Sequence, residues 1–147
     1  MRKVRTLMGR VNGLETVQVM ENDLPNFAWK VTRFDIVPLN AKRLEGAAQS
    51  FGTLRLCTDM RGLTPQTSSA GTADLDWDSR QVLSISSMGT GYARISSLDP
   101  ENFVVQDLFV QNCTNDGAYY HIEMELYSIT SDEQIIYQLK QIGQDAE

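Results

Sequence analysis

Between residues 119 and 126 apolar and polar side chains alternate without a slip, with Tyr120, Ile122, Met124 and Leu126 set against Tyr119, His121, Glu123 and Glu125. A period of two sends successive side chains to opposite faces of a strand, so this segment is predicted to have one face in a core and one in water. Shorter segments of strand character recur at 51–57, 81–87, 92–96 and 103–110, bounded by turn residues such as Asp99-Pro100-Glu101-Asn102 and Asn115-Asp116-Gly117. Residues 27–37 are rich in aromatic and β-branched side chains. Their apolar parity changes between Trp29/Val31 and Phe34/Ile36, which predicts a bulge or a strand buried on both faces. Strands at this spacing, without a βαβ rhythm, predict an all-β fold: an antiparallel β-sandwich or jelly-roll-like domain. At 147 residues without an internal repeat or linker, one domain over 1–147 is expected.

The two ends of the chain carry distinct signals. Asn12-Gly13 suits a two-residue type I′ turn, which wants φ > 0 at both central positions, and so predicts a hairpin arm over residues 1–20. In that register Val11 faces Leu14, Arg10 faces Glu15, Met8 faces Val17 and Thr6 faces Val19. Leu7, Val11 and Leu14 then lie on one face and Met8, Val17 and Val19 on the other, an arrangement that predicts contact on both sides. At the other end Thr130 and Glu133 have capping-box spacing ahead of Ile135, Ile136, Leu139 and Ile142, and Gly143 is a stop signal. A short C-terminal helix over 131–142 is expected.

No recognisable catalytic constellation accompanies these elements. His121 is the only histidine, its parity points outward beside Glu123 and Glu125, and no Gly-x-Ser-x-Gly elbow is present. Asp74, Asp76 and Asp78 alternate like the start of a calcium loop, but Ser79 stands where glycine is required and Ile85 where a glutamate should close the site. Gly89-Thr90-Gly91 lacks the rest of a dinucleotide fingerprint. Two cysteines, Cys57 and Cys113, and one histidine do not make a zinc motif, and the thiols are read as reduced strand residues. A non-enzymatic protein without cofactor or metal is expected. The loop-like stretch from Arg61 to Ala73 is of a length that suits a partner-facing role, and the loops around Trp77 and Tyr92 suit a second reading, a ligand-binding sandwich with carbohydrate as one candidate ligand.

A formal net charge of −6 opposes general nucleic-acid binding, which needs a basic footprint. Arg2, Lys3, Arg5 and Arg10 crowd the first ten residues, so any nucleic-acid contact is expected only through this arm, and contact with an acidic neighbouring subunit is favoured. Apolar runs such as Phe103-Val104-Val105 are too short to insert in a membrane, and no apolar signal segment follows the basic N-terminus.

The stretches from Trp29 to Ile36, Ser97 to Val110 and Tyr119 to Leu126 together resemble small viral jelly-roll or nucleoplasmin-like capsid-associated proteins, over residues 27–142. That resemblance implies a capsid or capsid-associated subunit, located in the virion, or otherwise in the cytoplasm. It would assemble with itself as a homo-oligomer and with other virion proteins. The interface candidates are Arg2, Lys3, Arg5, Leu7, Met8, Val11, Leu14, Val17 and Val19.

Overall fold

A computed structural model describes residues 3–21, 26–38, 52–65, 75–88, 94–99, 102–114 and 117–130. They form eight strands and, among the described residues, no helix: β1 (Val4–Val11), β2 (Thr16–Glu21), β3 (Phe27–Pro38), β4 (Gly52–Cys57), β5 (Val82–Met88), β6 (Arg94–Leu98), β7 (Asp107–Asn112) and β8 (Ala118–Ser128). The helix predicted over 131–142 lies outside the described residues, as do Arg2, Asp74 and Tyr92.

The strands build two antiparallel sheets, ordered β1-β8-β3 and β2-β7-β4-β5-β6. Their inner faces share one core, in which Val11, Phe34, Ile36, Ile122 and Met124 from the small sheet meet Leu54, Leu56, Leu108 and Val110 from the large one. Ile122 and Met124 are the inward residues of the alternation read in the sequence, and both are fully buried. Truncating either to alanine would cost about 2–5 kcal/mol through lost burial and the cavity left behind. The parity change in β3 is a register shift between Val31 and Arg33, which keeps Trp29 and Val31 facing inward as well as Phe34 and Ile36.

The N-terminal hairpin is corrected. β1 pairs with β8 from Val4↔Glu125 to Val11↔Ala118, whereas β2 pairs with β7 in the other sheet. Residues 12–15 are a corner between sheets: Glu15 N donates to Asn12 O at 3.2 Å, and the positive φ falls on Leu14 at 58° rather than on Asn12 or Gly13. Leu14 N and Glu15 O are taken by Thr114 O and Asn112 N, both at 2.9 Å. The reason is burial. A free ribbon would leave Val11 and Met20 in water, but splitting it across the sandwich buries both and packs Leu7, Val17 and Val19 against the same core. Arg10 therefore stands opposite Tyr119, and the Glu15 carboxylate accepts from Asn12 instead.

The loops after β4 are held by a buried cation. Arg55 is 0% exposed and donates through Nε to Gln111 Oε1 at 2.6 Å, through Nη2 to Thr64 O at 2.8 Å, and through Nη1 to Leu75 O and Asp76 Oδ2, each at 3.2 Å. Asp76 also accepts from Thr64 N at 2.5 Å and Thr64 Oγ1 at 2.9 Å. Such a charge is tolerable in a core only with its donors matched.

Candidate assembly face

Strand partners share a face, so the register of the small sheet defines the outer surface row by row. Arg10, Tyr119 and Val37 make the first row, Met8, His121 and Asp35 the second, Thr6, Glu123 and Arg33 the third, and Val4, Glu125 and Lys30 the fourth. Large apolar groups stand open among them: Met8 is 71% exposed, Val4 60%, Tyr119 45% and Val37 41%. The charges balance, with Arg10, Lys30 and Arg33 against Asp35, Glu123 and Glu125, on a chain whose whole charge is −6.

The polar groups of this face are tied to one another. Arg33 donates to Asp35 and lies 3.9 Å from Glu123, and its hydrogen bond to Asp35 raises the guanidinium above its ordinary range. His121 Nε2 is 3.1 Å from Glu123 Oε1, outward as its parity required. At the far end Tyr127 donates to Glu125 at 2.9 Å and meets Phe103 edge-on at 5.7 Å, and Lys30 Nζ sits 5.9 Å from the Phe103 ring centre.

The two edges of this sheet differ. On the side of β3 away from β8, Trp29 exchanges both backbone bonds with Val104, Asn102 caps Val31 N–H at 2.8 Å and its C=O at 3.1 Å, and Ser86 Oγ accepts from Ile36 N at 3.1 Å. On β1, Leu126 N donates to Lys3 O, and the register then turns the backbone groups of Lys3, Arg5, Leu7, Gly9 and Val11 toward β8. Those of Val4, Thr6, Met8 and Arg10 turn outward, where none of the described residues pairs with them.

The sequence-derived interface candidates divide accordingly. Lys3, Arg5 and Met8 are exposed; Val11 is fully buried, Leu7, Val17 and Val19 pack on the chain's own core, and half-buried Leu14 forms the corner. Val4, Val37 and Tyr119 are exposed on the same face and were not among those candidates. For Tyr119 the signal was present in the outward parity of the 119–126 segment, but Val4 and Val37 come from strands whose pairing no local pattern reveals.

Other chemistry-bearing residues have structural work. Both cysteines are buried and unlinked, and desolvation pushes Cys57 up to about 12 and Cys113 up to about 11, so neither is a ready nucleophile. Asp76 accepts from Arg55 and Thr64. Beside it a polar depression of about 300 Å³ is lined by Gly62, Leu63, Asp76, Asp78, Ser79, Arg80 and Gln81, next in sequence to Trp77, which is solvent-exposed. Among the described residues no helix is long and apolar enough to cross a membrane.

No protein-family model matches the chain, and neither does any curated protein or solved structure.

Proposed function

We propose that this chain is a non-enzymatic structural subunit that assembles with itself, as a capsid or capsid-associated protein of a virion. The observation that carries the reading is the outer face of β1-β8-β3, where Val4, Met8, Val37 and Tyr119 stand exposed in a charge-balanced field. Grouped apolar exposure of this kind marks contact surfaces, and neutral balance removes the repulsion that −6 would otherwise place between copies. Strand order supports the jelly-roll form of the sandwich. β1 pairs with β8, β2 with β7 and β4 with β5, the nested pairing of a long ribbon rolled over itself. The remaining pair departs from it, since β6 bonds to β5 while lying against β3. Other virion proteins are the natural further partners, with Lys3 and Arg5 directed to acidic protein surfaces. Light scattering at micromolar concentration tests the reading: closed multi-subunit particles are expected, and Met8→Asp with Tyr119→Ser should disperse them without unfolding the chain. A monomer at every concentration would remove it.

A second reading, a ligand-binding module for carbohydrate, has one observation in its favour, a polar depression lined by Asp76 and Asp78, the sequence neighbours of exposed Trp77. Quenching or enhancement of tryptophan fluorescence by a saturating glycan, lost in Trp77→Ala, would support it.

A further inference from the structure

Resting on the self-assembly reading, we infer that the open edge of β1 pairs antiparallel with β1 of a second copy, joining two three-stranded sheets into one six-stranded sheet about a two-fold axis. An exposed edge is a template for another strand, and proteins blunt such edges with bulges, caps or short strands. The other edges here carry such devices: β3 is capped by Val104, Asn102 and Ser86, β2 has a register shift between Gln18 and Met20, and β6 is only five residues long. β1 runs for eight residues in unbroken register, with no proline.

The register follows from which groups of β1 none of the described residues pairs with. Centring the two-fold on Leu7 sets Val4 against Arg10 of the second copy and Thr6 against Met8, so that all four outward-turned residues fall in hydrogen-bonded positions. Leu7 meets Leu7, Arg5 meets Gly9 and Lys3 meets Val11 in the positions between. Charged side chains on an edge normally deter pairing, but in this register no cation stands directly opposite another. Arg10 comes to lie beyond Val4 from Glu125, an acid on the joined outer face. Sliding by two residues in either direction leaves Arg10 or Val4 without an outward-turned partner among the described residues of the second copy, so the described strand's own pattern selects the centre. A C2 contact of this kind is isologous and closes on itself.

Two variants test it, both in the full chain. Leu7→Cys places the thiols at a non-hydrogen-bonded pair with Cα atoms about 4.5 Å apart, within disulfide reach, while Cys57 and Cys113 are buried. Mild oxidation should convert most of the protein to a covalent species of twice the chain mass. Thr6→Pro removes an N–H that faces away from β8, at an edge where proline is tolerated, and should weaken the dimer about tenfold or more with the circular dichroism spectrum unchanged. If Thr6→Pro does not fold, Leu7→Cys decides alone. A monomeric wild-type protein, with no crosslink in Leu7→Cys, would overturn both this pairing and the assembly reading. Wild-type particles with no Leu7→Cys crosslink would overturn the strand pairing alone, and so would an adduct whose mass identifies a different polypeptide.

Discussion

Arg55 and Arg33 are both arginines paired with aspartate on β-strands, and they do opposite things. Arg55 is fully buried, and besides Gln111, its ladder partner on β7, its acceptors come from the loop after β4 and the segment before β5, so it ties down two stretches that no strand pairing holds. Arg33 is largely in water, between Asp35 two residues along its own strand and Glu123 on the next. Solvent screens the second pair and leaves it little to contribute to folding, whereas the first cannot be opened without stranding a charge in the core. Position rather than pairing decides what an ion pair is for.

Arg55→Ala is the strongest way to break that contrast. It removes the guanidinium from which Gln111 Oε1, Thr64 O, Leu75 O and the Asp76 carboxylate accept, and an expected loss of about 3–5 kcal/mol would appear as a lower urea midpoint. A loss below 1 kcal/mol would mean that water replaces the guanidinium freely. Asn102→Ala comes next: Asn102 is buried and bonds Val31 on both backbone groups and Asp99 O at 2.7 Å, so about 1–3 kcal/mol should be lost in the same assay. It should also raise hydrogen exchange at the Val31 amide.

The thiols give a smaller, pH-dependent effect. Their folded pKa values lie above the ordinary 9.0, so their contribution to stability is complete below about 9 and declines as pH rises toward about 11–12, because the unfolded chain releases those protons first. Native protein at pH 8 should resist thiol alkylation that goes to completion in urea. The smallest effect is expected of Arg33→Ala, with no resolvable change in thermal midpoint. Because it leaves the outer face acidic, it should nevertheless weaken self-association, most clearly at low salt.

These contrasts also mark where the sequence was legible. The 119–126 alternation marked the central strand of the small sheet with its faces correctly assigned, and the parity change between Trp29/Val31 and Phe34/Ile36 pointed to a bulge or a strand buried on both faces, of which β3 takes the register shift, because both patterns are local. Asn12-Gly13 misled for the same reason. A turn dipeptide describes the bend but not which strands it joins, and burial of Val11 and Met20 outweighed the hairpin. In residues 51–57, Leu54 and Leu56 alternate with Thr53 and Arg55 as in a half-buried strand, yet β4 lies between β5 and β7 and Arg55 is wholly buried. Its acceptors, Thr64, Asp76 and Gln111, are scattered through the chain, with no spacing that would announce them.

The nested pairing has a consequence for how the domain comes to exist. β4 and β5 can meet early, since the ladder between them closes a modest loop, but Val4 must wait for Glu125, nearly the length of the chain away. Closing so large a loop makes folding slow, and during synthesis β1 leaves the ribosome long before its partner is made. Until β8 arrives, Leu54, Leu56 and Val110 lack the cover of half the sandwich. Newly made copies are thus expected to pass through an adhesive interval, in which crowding by siblings should lower the yield of correctly closed domains.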